Sequence, residues 1–422
     1  MKKSLLWVVS MLCGLQLTAQ TEREVITGAS YANEVYYKLG DGNAASSERT
    51  AWDIAFSSKM MEINILANNG TDVMVYTYPN GTAADWENVD ITGLEMTPMY
   101  NSIETWLEGA FVQNQVEGDE LDYGWGRYNT STHFISGDSI FIVETAGGAT
   151  KKLVIVEKDA PNNTWTFKYA NVDGTEEVEE TIAANDYADL EYIPYSMDAG
   201  QVADVAPASA DWDLLFTRYY DYTIPYYVTG VLINDAHVQV QEVSETDLDP
   251  AGFSTFQQEN FGTLISEIGS DWKSFNMGTM SYEVADTTVY FLKVEKGDDV
   301  YSYYEYYKIY FTAFESGSMG GQGVYTFQEE QLSATSAGNP DMIRLLELYP
   351  NPSHETLQVV YDFNGEVQLD VLDLNGRVLR SETAVSNGFE TQRIDVRSLE
   401  PGIYLLRARM GQMSEVRRFV VE

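Results

Sequence analysis

Cysteine is almost missing from this 422-residue chain: the single one, Cys13, lies in an N-terminal apolar run. Once that run is removed, no thiol remains, which excludes disulfide staples and thiolate metal sites. Histidine is nearly as scarce, limited to His133, His237 and His354. Basic residues are few as well, 25 Lys and Arg against 65 Asp and Glu, for a net charge of −40. So acidic a chain repels phosphate, which argues against nucleic acid and anionic membrane as partners. Hydrolytic and nucleotide motifs are missing too: there is no HExxH helix, GxSxG elbow, P-loop or dinucleotide fingerprint. A Ser-His-Asp site would have to use His133 or His237, and neither has a nucleophile motif around it. The chain therefore reads as a non-enzyme. Beyond residue 17 no stretch approaches about 20 apolar residues, so no transmembrane helix is predicted.

The apolar run itself has a role. MKKSLLWVVSMLCGLQLTAQ has the lysines, the short apolar core and the small residues of a secretory signal peptide, residues 1–19, with cleavage expected after Ala19. A lipoprotein anchor at Cys13 would want a small residue before it, and Leu12 stands there. Hydrophobic residues at 44% and aromatics at 13% are ample for packed cores, so the acidity does not signal disorder. From Leu345 onward the chain carries 12 acidic and 8 basic residues, so nearly all the excess negative charge lies in the body.

The C-terminal stretch, residues 345–422, alternates apolar and polar residues in short runs such as VQLDVLDL and IYLLRARM. Asn375-Gly376 and Pro401-Gly402 mark turns between them, which predicts a small Ig-like β-sandwich. The YPNPS opening, the DLNGR turn, the PGIYLL strand and the basic-then-apolar RRFVVE end resemble the type A C-terminal sorting domain of the type IX secretion system. That resemblance implies engagement of the type IX machinery and export through the periplasm to the outer cell surface or the medium. SATSAGNPD lies within the expected linker, residues 333–344.

The body reads as one unit written twice, over residues 20–175 and 176–332. SYANEVYY (30–37) matches DYADLEYI (186–193), and WDIAFSS (52–58) matches WDLLFTR (212–218). Asn68 falls against Asn234, WGRYNTSTH (125–133) against WKSFNMGTM (272–280), and SIFIVET (139–145) against TVYFLKV (288–294). Period-two alternation, tyrosine-rich runs and Asn/Asp/Gly turns predict antiparallel sheet throughout. Only Phe256–Ser270 invites a helix. The expected fold class is all-β, two tandem antiparallel units followed by the sorting domain.

WDIAF, the Trp…Tyr-Asn…Thr-His segment, and IFIVET with KKLVIVEK and TWTFKY resemble the HmuY family of haem-scavenging proteins, as do DWDLLFTRY and YYKIYFTAF in the second copy. The resemblance implies haem held by two axial side chains, histidine or methionine, and an outer-membrane haem receptor as partner. His133 of the first copy aligns with Met280 of the second, so these two lead the candidate ligands. Met99 or Met96 is the second ligand offered in the first copy, and His237 is the other histidine of the body. The same Thr-His and Thr-Met pairs also fit a plain strand entry that tolerates either side chain.

Two further chemistries stay open. GDGN (40–43), ENVD (87–90) and EVSETDLD (242–249) offer loop oxygens for calcium, without EF-hand spacing. YYDYTIPYY (219–227) and YSYYEYYKIYF (301–311) offer tyrosine faces for a sugar or protein ligand, or else mark edge strands. The sequence thus predicts an exported binding protein, capturing haem or a related hydrophobic ligand, or binding glycan or protein at the cell surface.

Overall fold

The computed structural model describes residues 20–257, 260–297, 302–332, 344–373, 376–410 and 413–422. They are nearly all β, in antiparallel sheets, and fall into two compact units: a body ending at Gln331 and a tail from Leu332. Among the described residues, no helix is long and apolar enough to cross a membrane.

The body carries out one plan twice. One large sheet runs, in spatial order, Val178–Ala183, Thr164–Asn171, Thr150–Asp159, Phe141–Glu144 and Met74–Thr77. Its counterpart runs Thr21–Ile26, Val324–Leu332, Ser302–Glu315, Thr288–Gly297 and Val238–Ser244. A smaller sheet, Gln201–Val202, Tyr192–Ser196, Ile54–Ser57 and Ile65–Ala67, faces the first. Ala44–Glu48, Asn33–Tyr37, Leu214–Asp221 and Tyr226–Ile233 form its equivalent. Alternation sets the faces: in TWTFKYAN, Trp165, Phe167 and Tyr169 are buried with Phe56, Ile193 and Tyr195 in the first core. Leu214, Phe216, Val35, Tyr37, Tyr325 and Phe327 occupy the second.

The pairing shows an exchange. Strands 21–48, from the start of the first copy, lie in the core of the second; strands 178–202, from the start of the second copy, complete the core of the first. The cores divide near residues 49 and 203. The recurring Trp-Asp dipeptide explains the joint. Asp53 accepts from Met197 N at 2.7 Å and Asp213 from Leu39 N at 2.9 Å, each just past the incoming strand. The matched asparagines hold the same turn: Asn68 Nδ2 donates to the carbonyl of Trp52 and Asn234 Nδ2 to that of Trp212. Buried polar groups are tolerated because these bonds satisfy them.

Contacts between the lobes are close. A Cβ at Gly70 would lie 1.9 Å from the Arg218 carbonyl oxygen, so only glycine lets that loop reach the second lobe. Tyr100 stacks on Tyr220 at 3.7 Å, and Trp106 Nε1 donates to the Ile233 carbonyl at 2.8 Å. Residues 260–270, within the stretch expected to be helical, run instead as turns with bridges Gly262–Val240 and Gly269–Val231. Their backbone groups are spent on neighbouring strands, which a helix would forbid.

In the tail, Thr356–Leu372 pairs along its whole length with Val378–Asp395. Its first part also pairs with Arg344–Tyr349 and its last part with Gly402–Met410, which in turn pairs with Met413–Val421. Leu357, Val359, Val367, Leu369, Leu406 and Phe419 share one core.

Candidate functional site

His133 and Met280 are equivalent in the structure, and the reason lies in the turn. Each is the last residue of the loop in a hairpin: Gly126–Tyr128 to Phe134–Gly137 in the first lobe, Lys273–Asn276 to Ser281–Val284 in the second. Both adopt left-handed backbone, φ 63° and 54°. In each turn the asparagine four residues earlier caps it: Asn129 Oδ1 accepts from Ser131 N and Thr132 N, Asn276 Oδ1 from Gly278 N and Thr279 N. His133 is exposed, with Nδ1 2.7 Å from Tyr128 Oη, and Met280 is 61% exposed.

The other offered ligands lie elsewhere. Met99 is buried in the first core, its sulfur accepting from Thr77 Oγ1 at 3.3 Å, and Met96 packs on a satellite cluster with Trp86. His237 Nε2 sits 2.9 Å from Asp213 Oδ1, alongside Lys38 at 2.8 Å. Met99, Met96 and His237 are held by packing or hydrogen bonds, and His133 and Met280 belong to separate hairpins. In two of the loops offered for calcium, Arg23 Nη2 donates to the Gly40 carbonyl at 3.0 Å and Asp90 accepts from Thr92 N at 2.9 Å. Among the described residues, no group of three or more His, Cys, Asp or Glu is placed to hold a metal ion.

Cavities occur in two places. Between the lobes, two adjoining clefts of about 570 and 540 Å³ share Glu34, Trp52, Leu66, Trp106 and Leu215. Burial pushes the Glu34 carboxyl up to about 7, against donors on Tyr36 and Thr217 and the nearby charge of Arg49. Trp52 Nε1–H lies beside that carboxylate without completing a hydrogen bond. Packed indoles and buried polar links mark this as a joint between lobes.

The larger cleft belongs to the second lobe and encloses about 1320 Å³, its open mouth included. One wall is the hairpin Leu214–Asp221 to Tyr226–Ile233, whose turn is the YYDYTIPYY run. The other is the hairpin bearing Phe275 and Tyr282, and Ser30-Tyr31 forms the rim. Here the second copy differs from the first, because its two wall strands are eight residues each where the first copy has four and three. Strand Tyr226–Ile233 ends its sheet, so the edge reading of the first tyrosine run is right. Ser302–Glu315, which carries the second run, is an inner strand: alternation sends Tyr307 into the second core and Tyr306 to the opposite face, where it is buried against Phe256.

Apolar surface is left open in this cleft. Ile224 is 56%, Tyr226 67% and Phe275 42% exposed, unusual for side chains of this size. Ser30 and Tyr31 have φ of 57° and 54°, costly backbone for residues other than glycine, and the surrounding contacts hold them there. Tyr31 Oη is 2.8 Å from Ser316 Oγ. Lys273 Nζ lies 4.2 Å from the Trp272 ring and 4.8 Å from Phe314, and donates to the Thr229 carbonyl at 2.5 Å. Burial pushes its amine down to about 7, against the pull of Asp271. Arg218 lies over the Tyr227 ring at 4.8 Å.

No curated protein matches the chain significantly. In the tail, residues 347–422 match the family described as the secretion system C-terminal sorting domain. A tail of this family directs the chain through the type IX secretion machinery to the cell surface or the extracellular space.

Proposed function

We propose that the chain is a non-enzymatic carbohydrate-binding protein, exported by the type IX system, and that it holds its ligand in the second-lobe cleft. The observation that carries this reading is the set of exposed Tyr226, Phe275 and Ile224 around a polar-floored cleft. Sugars present apolar C–H faces and a rim of hydroxyls. Tyrosine offers the matching pair, a flat ring and a hydrogen-bonding tip. Haem capture, by contrast, rests on the resemblance to the HmuY family alone.

A glycan array with the full chain, followed by calorimetry on the best ligand, tests the reading. Tyr226→Ala and Phe275→Ala should each weaken binding at least tenfold, about 1.4 kcal/mol. Both residues are exposed, so their replacement leaves the core intact. Wild-type affinity in both variants would sink the cleft as the site.

A further inference from the structure

We propose that the ligand of this cleft is an acidic carbohydrate, whose rings lie on the tyrosine and phenylalanine faces while Arg218 and Lys273 take its carboxylate or sulfate groups. This rests on the carbohydrate reading above and adds the charge class of the ligand.

Acidic residues outnumber basic ones 65 to 25 in the chain, yet the cleft is lined by the Arg218 cation and the Lys273 amine, which an acidic ligand would hold protonated, and by no carboxylate. Low-dielectric walls focus the field of such charges, so a local positive site survives within a strongly negative molecule. An acidic ligand repelled by the rest of the surface would find its favourable potential here.

The two basic groups are also arranged for use. Arg218 is half-buried and stacks on Tyr227, and its guanidinium enters no ion pair or side-chain hydrogen bond among the described residues. A planar fork held on an aromatic face presents two parallel N–H groups to a carboxylate or sulfate. Lys273 is fixed in the wall by the carbonyls of Thr229 and Ser270, at 2.5 and 3.4 Å, with no carboxylate bonded to it. Ser30, Ser270 and Ser318 add hydroxyls to the lining, suited to the neutral part of a sugar. The cleft therefore combines flat apolar faces, hydroxyl partners, the Arg218 guanidinium and the Lys273 amine.

The test uses the full chain and oligosaccharides in matched sets: neutral, uronate-bearing and sulfated forms of the same backbone. Calorimetry should show the acidic members binding at least tenfold more tightly than the neutral one at low salt. The gap should shrink as salt screens the charges. Arg218→Gln should remove most of the gap and leave the neutral affinity in place, and Arg218→Lys should restore only part of it, because the fork is lost. The salt series on the wild-type chain needs no variant, so the outcome stands even if a substitution disturbs folding. Equal affinity for neutral and acidic members, indifferent to salt, would overturn the acidic class while leaving the carbohydrate reading intact. Binding of no sugar at all would overturn both. A saturable Soret shift with haemin that Tyr226→Ala weakens would give the cleft to haem and overturn both.

Discussion

Glu34 and Asp213 are both buried carboxylates, and their surroundings drive them in opposite directions. For Asp213, burial alone would raise the pKa, but hydrogen bonds from His237 and Lys38 and the nearby Lys296 hold it below the usual range. Glu34 has weaker partners, so burial wins and its pKa reaches about 7. The sign follows from linkage: the folded pKa lies above the unfolded value of 4.5, so the folded state binds more protons between the two. Stability contributed by Glu34 thus falls as pH rises from about 4.5 to 7, and the penalty is complete above that. Glu34→Gln should raise the unfolding free energy at pH 8, by an amount on the order of 1–3 kcal/mol read from denaturant titration, and change little at pH 4. A variant less stable than wild type at pH 8 would show that the charged carboxylate is needed for the Arg49 side of the joint. The scale of single residues is also where sequence reading stopped short at His133. Thr-His against Thr-Met is a real equivalence, but Asn129 and Asn276 four residues earlier were the informative signal. An asparagine cap opening a short loop predicts a left-handed residue at its close, whatever that side chain is.

Strands were legible in the sequence, but their partners were not. Alternation in WDIAF or TWTFKY states which face is buried, and the repeat states that there are two such sets. Neither says whether Asn33–Tyr37 pairs with a strand of its own copy or of the other, because the same inward pattern suits both. The copy boundary near residue 175 marks where the sequence starts again; the cores divide some thirty residues from each copy's start. This division has a measurable consequence. A fragment ending at 175 loses Ile182, Ile193, Tyr195 and Met197 from the first core. At about 1.5–3 kcal/mol per buried side chain that is roughly 6–12 kcal/mol, comparable to the whole stability of a domain. Residues 50–203 should therefore fold as a unit with cooperative unfolding and dispersed amide resonances. Residues 20–175 should not, although they are the longer contiguous copy. Cooperative folding of 20–175 would mean that strands 21–48 can close the first core, and the exchange would not be obligatory. The second-lobe cleft belongs to the same scale. YYDYTIPYY announced tyrosine faces, but only the paired hairpins and the strained Ser30-Tyr31 rim, from the far end of the chain, made them a cleft.

At the scale of the molecule, sorting and binding are separate tasks. The tail has a core of its own, from Leu357 to Val421, and its motifs were the clearest in the sequence because turns and strand ends in such a domain are fixed by short, local residue patterns. The body offers no such local signature. The cleft proposed as its binding site is assembled from residues 30, 218, 226 and 275, which no contiguous motif records. Since each unit buries its own apolar residues, removing 347–422 should leave the body folded, with its thermal unfolding transition unchanged. Export should fail all the same, leaving the truncated body in the periplasm where the full chain reaches the surface or the medium. Immunodetection in fractionated cells, with a periplasmic marker as reference, distinguishes these places. If the truncated body were found outside, the determinant of export would lie within residues 20–346. If it were retained but unfolded, the tail would be needed for the body's stability as well as for its address.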